Sequence, residues 1–147
     1  MPANTAPIFP VSPNVKGVTL TTADTSLTAP STNGKDAIIG STNGTRIDGM
    51  KISAVGTNVT TVLRVFFCDG LGTADTNYTL LHEEVLPATT ASTTAKTSTT
   101  INLLPLNYDG LGSGVLPNAI KSGQKIVVSL GTTVSSGWDV LTFGGDY

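Results

Sequence analysis

The sequence predicts an all-β protein: an antiparallel β-sandwich of the jelly-roll kind, with about eight strands and an extended N-terminal arm. Three observations lead there. Apolar residues recur with a period of two in short β-branched segments, helical periodicity is almost absent, and Gly, Pro, Asn and Asp interrupt the segments at short intervals. An immunoglobulin-like sandwich is the second choice for the same pattern. The chain of 147 residues has the length of one domain, which can bury roughly two-thirds of its unfolded surface.

The opening stretch, "MPANTAPIFPVSPN", holds Pro2, Pro7, Pro10 and Pro13, which disfavour helix and central strand and favour an extended polyproline path. Residues 1–16 are expected to form an arm and residues 17–147 the sandwich. The arm carries Ile8, Phe9 and Val11, three apolar side chains that a free tail has no reason to hold, so they are read as a docking contact. Val18 and Leu20 then alternate with Thr19 and Thr21. "DAIIG" is a short strand between two copies of "STNG", and Asn-Gly is a preferred centre of tight type I′ hairpin turns.

In "RIDGMKISAV", Met50, Ile52 and Ala54 share a face while Ile47 is out of phase, so Asp48-Gly49 is expected to absorb the slip as a bulge or a break. "NVTTVLRVFFCDG" places Val59, Thr61, Leu63, Val65 and Phe67 on one side and Val62, Arg64 and Phe66 on the other. This reads as a central strand with two apolar faces. Arg64 interrupts what would otherwise be an aggregation-prone window. Its face is expected to be covered by the arm or by a neighbouring subunit, with Arg64 paired to a carboxylate such as Glu84.

Further strands are expected at "YTLLHEEVL", "STTINLL", "KIVVSL" and "WDVLTF", and the Thr-rich stretch 88–100 reads as a loop running into an edge strand. In the closing "GWDVLTFGGDY", Trp138, Val140 and Thr142 alternate with Asp139, Leu141 and Phe143. Gly144-Gly145 is expected to free the backbone as the strand leaves the sheet, with Tyr147 held across the end of the sandwich or in a subunit interface.

Composition narrows the function classes. Charged residues make up only 12% against about 25% in an average soluble domain, their place being taken by Ser, Thr, Asn and Gly. Such a surface has little charge to desolvate on contact and suits close assembly. The eight Lys and Arg form no basic run and the net charge is -2, which argues against nucleic-acid binding. No apolar run is long enough to cross a bilayer as a helix, and the first residues lack the pattern of a signal peptide.

No cofactor and no metal site are expected, because one cysteine, Cys68, and one histidine, His82, cannot assemble a metal framework. His82 and Glu84 share a strand face, and a solvated pair is the simplest reading of them. The two "DGLG" copies lack the alternating oxygen ligands of a calcium loop and read as turns. No phosphate loop, nucleophile elbow or HExxH occurs, so no catalytic residue is assigned. The sequons at Asn43, Asn58 and Asn77 are about what a Ser/Thr-rich chain gives by chance. Trp138, the one tryptophan, sits on a strand and reads as core or interface, which weakens a carbohydrate-binding module.

From Asp48 onward the order of features, "DGMKISAVGTN", "TVLRVFFCDG", "NYTLLHEEVLPATTAS", "LPNAIKSGQKIVVSL" and "GWDVLTFGGDY", resembles the head decoration, or cement, proteins of tailed bacteriophages. That resemblance implies a jelly roll on the outside of an icosahedral capsid, made in the host cytoplasm. It would be a homo-oligomer, a trimer ahead of a dimer, that bridges major capsid protein subunits. The alternative is a tail- or fibre-associated, or other carbohydrate-binding, β-sandwich module.

Overall fold

The computed structural model describes residues 9–30, 32–91, 99–106 and 114–147. Its strands are β1 (Ser12–Leu20), β2 (Lys35–Ile39), β3 (Thr45–Ala54), β4 (Thr61–Cys68), β5 (Tyr78–Leu86), β6 (Thr100–Leu103), β7 (Ala119–Ile120), β8 (Lys125–Leu130) and β9 (Trp138–Asp146), with one 3₁₀ turn at Asp75–Asn77. They form two antiparallel sheets. One runs β1-β9-β3-β6, with the two-residue β7 also pairing with β3; the other runs β2-β8-β4-β5.

Among the described strands, β4 and β5 are the one pair that is consecutive in the chain and also hydrogen-bonded side by side. Most other connections cross from sheet to sheet, which is the winding of a jelly roll. The immunoglobulin alternative, whose first two strands share a sheet, does not fit, because β1 and β2 lie in different sheets.

The period-two pattern puts one apolar row of each strand between the sheets. Met50, Ile52 and Ala54 of β3 and Trp138 and Val140 of β9 meet Leu63 and Val65 of β4 and Ile126, Val128 and Leu130 of β8. At roughly 1.5–3 kcal/mol for each fully buried large side chain, this row is the main source of stability. The slip at Asp48 is a bulge, with the β3–β9 register shifting between Ile47 and Gly49, so Ile47 also reaches the core.

Three features differ from the sequence reading. The first strand begins at Ser12, inside the expected arm, and residues 12–16 pair with β9; Pro13 is tolerated because β1 is an edge strand. The closing strand does not leave the sheet at its glycines. It pairs on both sides through Asp146, and a Cβ at Gly144 would stand 1.9 Å from the Arg46 carbonyl oxygen, so that glycine permits close approach of β3. The "STNG" turns do not close hairpins. At the second, Gly44 lies at φ 97° and donates its amide to the Ser41 carbonyl (3.0 Å), at a corner where the chain passes from one sheet to the other.

Candidate interaction surfaces

On the outer side of the β2-β8-β4-β5 sheet, Val62, Arg64 and Phe66 alternate with the core residues of β4 as their spacing requires. Phe66 is fully buried in a small cluster with Cys68 and Val127, and Tyr78 packs against it. The chain's own loop packs against part of this side, at Arg64 and Val127, while Val85 and Leu80, which pair with Val62 and Phe66, stay 64% and 37% exposed. Arg64 Nη1 donates to the Asp24 carbonyl (3.2 Å), and Gly34 approaches Val127 closely enough that a Cβ there would lie 3.1 Å from Val127 Cγ1. Arg64 pairs with Glu83 at 2.9 Å, its cross-strand neighbour, and not with Glu84. Glu84 faces the other way, toward His82 (3.0 Å).

The loop is organised by Asp24. Its buried carboxylate accepts the backbone N–H groups of Ser26 (3.2 Å), Thr32 (3.1 Å) and Asn33 (2.9 Å). Burial works to raise its pKa, and the backbone donors Asn33, Ser26, Thr32 and Gly34 outweigh it, leaving the pKa below the ordinary aspartate value. A loop held by its own backbone donors needs no outside partner to keep its place against Arg64 and Val127.

The outer side of the β1-β9-β3-β6 sheet has no such loop against it among the described residues. Register puts Val15, Phe143 and Gly49 in one row, Gly17, Leu141, Lys51 and Asn102 in the next, and Thr19, Asp139, Ser53 and Thr100 in a third. The large apolar members stay in solvent: Val15 is 60% exposed, Leu141 40% and Phe143 36%. Phe143 lies over Gly49, whose Cβ would be 3.2 Å from its Cε2, and Leu141 leans toward Gly17 at 3.7 Å. The result is a low apolar platform beside a groove of about 410 Å³ lined by Gly17, Thr19, Lys51, Ser53, Asp139 and Leu141.

The arm leaves from the same sheet. The Val11 amide donates to the Asp146 carbonyl (2.7 Å), and Pro10 packs so close to Gly145 that a Cβ there would be 2.6 Å away. Phe9 and Val11 are 70% and 82% exposed, while Ile8 lies outside the described residues. Sequence reasoning named these two but missed Val15, Leu141 and Phe143. The signal was present in β9, whose two apolar rows cannot both face one core.

The remaining candidates are structural or incomplete. Trp138 is fully buried and offers no platform to a sugar. Asn58 is also buried, so its sequon cannot carry a glycan in the folded chain. In the first "DGLG" copy the Asp69 carboxylate is taken up by the Asn77 side-chain amide (3.1 Å to each oxygen) and by the Leu71 N–H (2.9 Å). The second copy lies outside the described residues, as does most of the Thr-rich stretch. His82 and Glu84 share a cleft at the β5–β6 side with Asn102, Leu103, Leu104 and Val115. Among the described residues no three of His, Cys, Asp and Glu could hold a metal ion, and no helix is long and apolar enough to cross a membrane.

Fold and surfaces together define a jelly-roll β-sandwich in which a loop packs against part of one outer face and, among the described residues, none does so on the other. No protein-family model matches the chain, and a search of curated proteins returned no significant match.

Proposed function

We propose that this protein is a structural virion component, a capsid decoration protein that binds the outside of an icosahedral phage head and bridges major capsid protein subunits. The observation that carries the proposal is the arm's root. Phe9 and Val11 project into solvent from a segment fixed to β9 by the Val11–Asp146 bond and the Pro10–Gly145 contact. An extended apolar segment on a rigid base reaches a neighbouring surface without losing the entropy of a free tail. A Ser/Thr-rich surface with 12% charged residues adds little desolvation cost over a large contact. Several such contacts from one oligomer raise effective concentration, so each can be weak.

The test is co-sedimentation of the purified protein with expanded phage capsid shells, using the full chain and a chain lacking residues 1–9. The cut spares Pro10 and all of β1. Binding by the full chain and its loss on truncation are expected. A full-length protein that stays in the supernatant at all concentrations contradicts the function, and equal binding by the truncated chain contradicts the role of the arm.

A further inference from the structure

We infer that the open outer face of the β1-β9-β3-β6 sheet is a self-association surface, on which a second copy of this chain packs face to face about a two-fold axis with its strands crossing at near right angles. The inference concerns this face alone and stands or falls independently of the capsid reading.

The argument is the self-complementarity of the register. Take Leu141 as the centre. Lys51 is one strand away on β3, at about 4.8 Å, and Asp139 is one same-face step along β9, at about 6.7 Å. A two-fold axis lying in the interface and bisecting these two directions exchanges them. It lays Leu141 on Leu141 of the other copy and brings Lys51 over the other copy's Asp139, twice per dimer. In the opposite quadrant Val15 falls on its own counterpart, and Phe143 falls over the other copy's Gly17, against which that copy's own Leu141 leans. An exposed ring meets a position without a side chain, and each lysine meets a carboxylate. Right-angle crossing is one of the two stable ways for sheets to pack.

Electrostatics agree. Among the described residues, exposed Lys51 has no ion-pair partner, and Asp139 accepts one hydrogen bond, from Thr19 Oγ1 (2.6 Å), which leaves its carboxylate further acceptor capacity. Parallel or antiparallel stacking about Leu141 would set Asp139 against Asp139 or against Phe143, which is why the diagonal axis is selected. A twofold isologous contact also differs from the trimer expected from the sequence.

Size sets the strength. Standard strand spacings give rows 13–19 across four strands a span of about 19 by 20 Å, a projected area near 400 Å² against the ~800 Å² that each partner of a standard interface buries. At about 800 Å² in total the pairing is smaller than a standard specific interface and is expected only at high protein concentration.

Sedimentation velocity from about 5 µM to about 1 mM tests it, with circular dichroism confirming that each variant is folded. The wild type should shift from monomer to dimer across that range. Leu141→Arg should raise Kd by more than about thirtyfold. Lys51→Glu and Asp139→Lys should each weaken pairing by about tenfold, and the double variant K51E/D139K should return to within about threefold of wild type. A wild type that stays monomeric, a trimer, a dimer indifferent to Leu141→Arg, or a double variant no better than the singles each overturns the inference.

Discussion

Asn58 should be the most costly polar side chain in the sandwich to remove. It is buried, and its Oδ1 accepts the N–H groups of Gly137 (2.8 Å) and Ser136 (3.2 Å) while its Nδ2 donates to the Gly137 carbonyl (2.9 Å). Its own backbone makes a two-way bridge with Thr89, at 3.0 and 2.9 Å. One side chain therefore fixes the turn that launches β9 and Trp138. Asn58→Ala leaves the Gly137 N–H buried without this partner, at about 1–3 kcal/mol. The Gly137 carbonyl keeps the Val55 N–H (3.0 Å), so it and the part-buried Ser136 N–H each add only about 0.5–1 kcal/mol. The total is about 3 kcal/mol, or a fall in Tm of about 6–12 °C for a chain of this size. Urea unfolding followed by Trp138 fluorescence measures it. A loss below about 1 kcal/mol with an unchanged m-value would refute the view that this amide organises the turn.

Two further outcomes follow from particular contacts. Asp24 has a folded-state pKa below its ordinary value, with burial opposed and outweighed by the backbone donors Asn33, Ser26, Thr32 and Gly34. Its stabilisation is therefore fully present above the unfolded aspartate pKa of about 3.9 and is lost as pH falls through the lower folded value. Asp24→Asn should flatten the wild type's loss of stability as pH falls below about 4 in chemical unfolding. Gly144→Ala should cost about 3 kcal/mol or more, because the added methyl meets the Arg46 carbonyl at 1.9 Å. Gly123→Ala, where nothing lies within 4 Å but φ is 77°, should cost only about 1–2 kcal/mol in the same urea assay.

The fold was legible where periodicity alone decides it. β5 and β8 fall at the expected residues, and the bulge at Asp48-Gly49 follows from the phase of Ile47 against Met50. Close approach was not legible, because a glycine looks the same whether it turns the chain or makes room for a neighbour; Gly144 makes room for β3 and Gly145 for Pro10. The two-residue β7 is too short to carry a period. For the surfaces, apolar residues on both sides of β4 signalled a cover, but nothing local says that part of it is a loop about 40 residues earlier in the chain, joined to Arg64 through the Asp24 carbonyl.

The two outer faces of the sandwich thus face different fates, and the difference bears on how the arm could work. A loop held by Asp24 packs against Val127 and Arg64, whereas Val15, Leu141 and Phe143 stay exposed on the sheet from whose edge the arm departs. With two copies crossed at a right angle on the bare face, the two arms would leave the interface about 90° apart at one side of the pair. Each arm would then meet a different region of any underlying surface. A dimer anchored at two points binds more tightly than its single contacts suggest, by about 10²–10⁴ where the geometry lets both engage. Leu141→Arg should therefore weaken capsid binding in the co-sedimentation assay even though it leaves both arms intact. An unchanged affinity would mean that each arm acts alone.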